Sequence, residues 1–413
     1  MAWSLEIIFI WLLTIFTLYV GIFWMGLALA HRPALARAPK ARIFPKLSIL
    51  IPAFNEEDTL AASIDSLQKL SYPSKAEIIV VNNGSTDGTL KVASDYAKKG
   101  LIKLVNLGRP NKGAALNAGL KAAKGELIAV MDADSIVRPD AANKLVGYFE
   151  DPKVAAVVAS IKPIQNKKRT FIERMQHAEY IISNLYRKLG SLTDMIYVTP
   201  GAFSLFRSKA LREVGGFAEK NLTEDLEIAL RLRSNGWYIR NSMSAVAYTA
   251  LPENLRQLYS QRIRWYRGLV KNTFGYKKML FNRKFGWLGL WQLPMNIIFP
   301  IISLSIIALF FATNAVSLFQ LYRELTIVGF QLPQFSLERM ALGFDWRMML
   351  PWIAGLGFGI YAVRLSYKAS GESIRKGMGK LTSLAFLMFY YTIINVLWTI
   401  AILKEVRGSK TKW

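Results

Sequence analysis

The chain has 413 residues, enough for two modules, and sets 53 Lys and Arg against 28 Asp and Glu, a net charge of +25. It is 52% hydrophobic with a positive mean hydropathy. Nucleic-acid binders reach such charge without long apolar runs, so the balance points to an anionic membrane surface and away from nucleic acid. There is no cysteine, which excludes disulfides and thiolate metal sites.

In chain order, Ile7–Ala30 is a run of 24 residues without a charge, long enough to span a hydrocarbon core. Its length and the basic residues that follow it favour a retained anchor over a cleaved signal peptide. Further charge-free runs are Gly286–Tyr322, broken by Pro294 and Pro300, then Met348–Val363 and Leu381–Leu403. The expected organisation is an N-terminal transmembrane helix (1–31), a water-soluble domain (45–275), and an interfacial helix with transmembrane helices and a basic tail (276–413). The 31–46 loop has five Lys or Arg and no acid, and the 367–380 loop has four and one acid. By the positive-inside rule both face the cytoplasm, with the soluble domain, and 323–346 lies outside. Four simple spans would put the basic tail outside as well, against that rule. Either the 286–322 run holds an interfacial helix plus one span, or one run does not cross simply.

Between 45 and 130, short apolar strands alternate with helices: "KLSILIPAF", "ASIDSLQKL", "AEIIVVNN", "LKVASDYAKKG", "LIKLVNLG", "GAALNAGLKAAKG", "ELIAVM". This is the pattern of a mostly parallel, Rossmann-like α/β sheet covered on both faces. Ligands in such sheets bind at the carboxyl ends of strands. Asn55–Glu57, Asn82–Asp87 and Asp132–Asp134 all fall there. In "MDADS" two carboxylates end a strand one residue apart, a pair that can hold a hard divalent cation together with diphosphate oxygens. Asp is also common in plain turns at strand ends. No G-x-x-x-x-G-K-[ST] or post-strand G-x-G-x-x-G is present, which disfavours ATP hydrolysis and dinucleotide binding.

"TEDLEIALRL" (223–232) reads as a helix start, with Thr223 as N-cap and acids suiting the dipole. In "SQRIRWYRG" (260–268), a helix puts Gln261, Arg264 and Trp265 on one face, suited to a diphosphate and the flat face of a sugar. Arg262, Arg267 and Lys271 with Tyr266 and Trp265 equally suit lipid headgroups.

The ordered set "IPAFNEE", "NNGSTDGT", "NKGAALNAG", "MDADS", "TPGAFSLFR", "TED" and "QRIRW" resembles the membrane-embedded family 2 glycosyltransferases of the GT-A fold, among them the cellulose, chitin, hyaluronan and poly-N-acetylglucosamine synthases. The resemblance covers roughly 45–275. It implies an inverting, metal-dependent transferase (Mg²⁺ or Mn²⁺) in the cell membrane, moving sugar from a nucleotide sugar, a UDP-sugar by preference, onto a growing glycan as that glycan is translocated. By the same resemblance Pro52, Phe54, Glu56 and Asn82 meet the nucleoside. Asp132 meets ribose and, with Asp134, the metal. Asp225 is the general base, and Glu224 orients it. Gln261, Arg264 and Trp265 close over diphosphate and acceptor, and Gly201 and Ala202 shape the acceptor pocket. Two features depart from the family pattern: Asn82–Asn83–Gly84–Ser85 replaces the usual "DDGS", and no tryptophan-containing C-terminal gating motif is present. The alternatives are a single transfer onto a lipid-linked acceptor, or a silent membrane scaffold with a degenerate transferase domain.

Overall fold

The structure is a computed structural model that describes residues 5–35, 37–164, 169–328 and 346–408. After helix α1 (Leu5–Ala30) the chain alternates strand and helix: β1 (Leu47–Ala53), α2 (Leu60–Gln68), β2 (Glu77–Asn83), α3 (Thr89–Lys98), β3 (Lys103–Leu107), α4 (Lys112–Ala122) and β4 (Leu127–Val130). Then follow β5 (Ile136–Val137), α5 (Asn143–Val146), β6 (Val154–Pro163), α6 (Phe171–Leu192), β7 (Ser204–Arg207), α7 (Ser208–Glu213), α8 (Glu224–Ser234), β8 (Tyr238–Thr249) and α9 (Leu255–Gly275).

The strands form one sheet in the order β3-β2-β1-β4-β7-β6-β8-β5. β3, β2, β1 and β4 are parallel, as crossover helices demand. The sheet as a whole is mixed, with four parallel pairings and three antiparallel ones. α6 returns the chain to the carboxyl end of β4, where Ser204 pairs with Val130, so β7 runs antiparallel to both β4 and β6. β6 and β8 are parallel, and β5 is antiparallel to β8. Every residue of β1 is buried. Ile49 and Ile51 pack with Leu60 and Ile64 on one face, and Leu50 packs with Leu116 and Ile228 on the other. Burial on both faces explains why the strand is apolar throughout rather than alternating.

The loops after β1 and β2 are laced together at the carboxyl edge of the parallel half. Asn55 takes a left-handed conformation (φ 54°) and accepts a hydrogen bond from the Thr86 N–H at 2.9 Å. The Glu56 N–H donates to Thr89 Oγ1 at 2.7 Å.

Beyond α9 lie α10 (Leu293–Val328, with Pro300 inside it), α11 (Trp346–Ala369), and a final stretch from Lys380 through a π-helical turn at Phe386–Tyr390 into α12 (Tyr391–Val406). Among the described residues, two segments are long and apolar enough to cross a membrane, Ile8–Ala30 and Leu381–Val406. Most of the 323–346 segment expected outside lies beyond the described residues.

Candidate active site

A cavity of about 340 Å³ opens at the carboxyl edge of the sheet, between β4, β7, α8 and α9. Asp132, Asp134, Gly201, Ala202, Glu224, Asp225, Gln261, Arg264 and Trp265 all line it. Nine residues spread over more than a hundred positions of sequence therefore converge on one space. Pro52, Phe54, Glu56 and Asn82 are not on its wall. Pro52 is buried within β1, and Phe54 is exposed beyond it. Asn82 is buried, and its amide donates to Asn106 Oδ1 at 2.6 Å within the sheet. Glu56 accepts from Thr59 Oγ1 at 2.6 Å and stands close enough to Asp134 to act on its charge.

Gly201 is needed for the fit. Its carbonyl accepts from the Asp132 N–H at 2.9 Å, and a Cβ on it would stand 2.5 Å from Asp132 Oδ2. Any side chain there would push the Asp132 carboxylate out of place.

The electrostatics are those of crowded carboxylates. Burial, then Asp132 and Glu56, push the Asp134 carboxyl up to about 6. Burial, then Glu224, push Asp225 up to about 7, against the pull of Lys112 and Arg264. The sequence reading missed Lys112. Its Nζ lies 2.8 Å from Asp132 Oδ1 and 2.8 Å from Glu224 Oε1, tying the end of β4 to the start of α8. It stands in the first turn of α4, behind the N-cap Asn111, where a cation opposes the helix dipole. A residue that violates a local rule in this way was the available signal.

Glu224, Asp225 and Glu227 do fall in the first turn of α8. Thr223, however, does not cap that helix with its side chain. Its Oγ1 accepts from Asn272 Nδ2 at 3.0 Å, because Gly268 lets α9 approach so closely that a Cβ there would lie 2.2 Å from Thr223 Oγ1. Thr223→Ala should therefore lose one buried hydrogen bond, about 0.5–1.5 kcal/mol, with transfer mostly kept. Thermal unfolding of the two proteins in one detergent checks this.

On α9, Gln261, Arg264 and Trp265 share the cavity face as the helical spacing requires. Gln261 Oε1 is buried without a hydrogen bond. The headgroup reading of this helix fails for two of its cations. Arg262 is buried, donates to Glu179 Oε2 at 2.5 Å and lies over the Trp265 ring at 4.3 Å. Arg267 is buried and bonds Glu405 Oε2 at 2.8 Å.

Among the described residues no group of three or more His, Cys, Asp or Glu side chains closes on one point to hold a metal. Asp132 and Asp134 offer hard oxygens from two residues. Such a partial set suits a hard cation whose remaining positions are filled by ligand oxygens. Asp134, crowded by the charges of Asp132 and Glu56, fits that role.

The glycosyl transferase family 2 profile matches residues 48–215. A poly-beta-1,6-N-acetyl-D-glucosamine synthase of Staphylococcus epidermidis is 32% identical over 226 residues, 54% of each chain. The probable glycosyltransferase YdaM of Bacillus subtilis is 34% identical over 232 residues, 54% of this chain and 55% of its own. The match thus spans about half the length of these relatives. Among solved structures, the mannosyltransferase PcManGT of Pyrobaculum calidifontis, in complex with GDP-Man and Mn²⁺, aligns over 96% of this chain and 100% of its own. Its TM-score is 0.54 at 18% identity, which speaks to a shared GT-A-like fold. Residues 48–215 of this chain are a family 2 glycosyltransferase domain.

Proposed function

We propose that the protein transfers N-acetylglucosamine, with inversion, from its UDP-sugar to the end of a growing glycan, and that it does so in the cell membrane with the catalytic domain on the cytoplasmic side. The observation that carries this is the position of Asp225. It is a carboxylate whose proton affinity is raised toward neutrality, on the wall of a cavity shared with Asp132, Asp134 and Arg264. A base poised near the working pH is what deprotonation of an acceptor hydroxyl needs. The sugar identity is taken from the names of the synthase relatives.

In this reading Asp225 takes the acceptor proton as the acceptor oxygen bonds to the anomeric carbon and the nucleoside diphosphate leaves. Attack opposite the leaving group inverts the centre. Glu224, fixed by Lys112, keeps the first turn of α8 in place. Gln261 offers its free carbonyl oxygen to an acceptor hydroxyl, and Trp265 offers a ring face to the sugar. Arg264 and Lys112 meet the charge that grows on the diphosphate. A divalent cation, Mg²⁺ or Mn²⁺, held by Asp134 with Asp132, would offset more of that charge. Pro52, Phe54, Glu56 and Asn82 remain the nucleoside candidates, at or just past the ends of β1 and β2.

Purified protein given a panel of labelled nucleotide sugars tests the reading, with product sizing to separate one transfer from many. Turnover of UDP-N-acetylglucosamine into long products is expected. No turnover with any donor would leave the silent-scaffold alternative standing. Excess chelator should abolish transfer, and Asp134→Asn should weaken cation-dependent donor binding measured by calorimetry. Unchanged binding in that variant would end the metal assignment.

One observation favours a lipid-linked acceptor as the second reading. A largely apolar cavity of about 620 Å³ lies between α1, α6 and α11 and shares Ser183, Arg187, Tyr197 and Val198 with the catalytic cavity. Under that reading the product is small and extracts into organic solvent.

A further inference from the structure

The end of α9 and the segment that joins it to α10 have an unusual surface. Phe274, Phe281 and Trp287 are 57%, 68% and 51% exposed. Interleaved with them are Lys277, Lys278, Arg283 and Lys284, all exposed, and among the described residues none of the four forms an ion pair within 4 Å. No Asp or Glu occurs anywhere from 254 to 323, so nothing on the segment's own stretch of chain offsets these cations.

The segment is nevertheless well built. The Phe281 N–H donates to the Gly289 carbonyl at 2.9 Å, and Asn282 caps the following turn through the Lys284 N–H at 3.0 Å. Phe281 is held at a φ of 54°, a left-handed conformation rare for an aromatic residue, and this presents its ring outward. Such strain persists only where the surrounding structure fixes it.

Its place in the molecule sets what it meets. The Trp287 ring lies 5.7 Å from the Phe23 ring, in the last third of α1, which leads into the basic 31–46 loop. Six residues after Trp287 the apolar helix α10 starts. Aromatic rings with cations beside the end of an apolar helix match the interface between hydrocarbon and headgroups.

The inner side of the same segment leads to the active site. Met279 and Leu288 are buried in one cluster with Leu226 and Leu230 of α8, the helix that opens with Glu224 and Asp225. The Tyr276 hydroxyl donates to Glu227 Oε1 at 2.6 Å, in the same first turn of α8.

We propose that residues 274–290 dock on an anionic lipid surface, with Phe281 and Trp287 in the interface and Lys277, Lys278, Arg283 and Lys284 on acidic headgroups, and that this docking fixes α8. The effect on transfer rests on the proposed role of Asp225; the docking itself does not.

The absence of cysteine makes a clean test. Full-length Phe281→Cys, labelled with a polarity-sensitive dye, is placed in bilayers of phosphatidylcholine alone or mixed with phosphatidylglycerol. The dye is expected to report an apolar setting in the anionic bilayer, to return toward water at high salt, and to lose the response when the four cations are all changed to Gln. The unlabelled wild-type protein should transfer about tenfold faster in the anionic bilayer. A dye signal independent of lipid charge, or unaltered by the four substitutions, overturns the proposal, as would burial against a protein partner or a second copy. A protein that transfers no sugar at all defeats the proposed function instead, and the dye still decides the surface.

Discussion

Asp225→Asn is expected to lower transfer about 10²–10⁴-fold while donor affinity stays near that of the wild type. Asn keeps the shape of the side chain and its bond to the Leu226 N–H, seen at 2.9 Å for Asp225 Oδ1. It cannot accept the acceptor proton. A role confined to the helix start predicts almost no loss, because Asn suits a helix N-terminus nearly as well as Asp and the dipole contribution is about 0.3–1 kcal/mol. Turnover and donor binding measured on one preparation separate the two roles. The wild-type pH profile supplies an independent check. With Asp225 titrating at about 7, the ionised base is lost as pH falls through that value. Below it, kcat/KM should drop about tenfold per pH unit, and above it the profile should level off. A flat profile down to the ordinary carboxylate range would mean that another group takes the proton.

Lys112→Met should be nearly as damaging. It removes the ammonium shared by Asp132 and Glu224 and leaves two carboxylates facing the same space. Donor affinity and transfer are expected to fall together by about 10²–10³-fold, the scale for removing a preorganised charge beside a leaving group. The sign of the pH effect follows from the geometry. Lys112 holds down the proton affinities of both Asp134 and Asp225, so its loss raises both, and the rising limb of the profile moves to higher pH. Lys112→Arg should recover part of the affinity. Titration calorimetry and pH-rate profiles on the three proteins check this, and a Met variant with wild-type donor affinity would return Lys112 to a structural role.

The parallel half of the sheet was legible because each of its strands is a short apolar run closed by turn residues, and each crossover is a helix of ordinary length. The mixed half was not. Whether β7 runs with or against β4 depends on which end of the sheet α6 returns to, and no local pattern encodes that. Asp132, Asp134, Glu224, Asp225, Gln261, Arg264 and Trp265 were legible as motifs, and the fold brings them to one cavity. Asn82 lies at the end of β2 as its sequence position predicts, and its amide bonds Asn106 across the sheet, a partner 24 positions away that no local pattern shows. Lys112 was hidden among the small residues of "NKGAALNAG". Its partners are 20 and 112 positions away in sequence, a separation that only the assembled sheet closes.

The binding of α9 to α12 bears on how far the catalytic region can be treated as a separable fragment. Arg267 bonds Glu405, Lys404 donates to the Tyr259 hydroxyl, Trp398 stacks on Tyr266 at 4.5 Å, and Glu179 receives both Arg262 and the Tyr390 hydroxyl. Cutting the chain after residue 275, where composition suggests a boundary, would strip a buried guanidinium of its carboxylate and bare an aromatic face. Removing one partner of a buried pair typically costs about 3–5 kcal/mol, a large share of the stability of a whole domain. The helix that carries Gln261, Arg264 and Trp265 is in this sense folded by the C-terminus. An excised piece ending at residue 275 would be expected to aggregate, and inactivity of such a piece would say nothing about the intact protein.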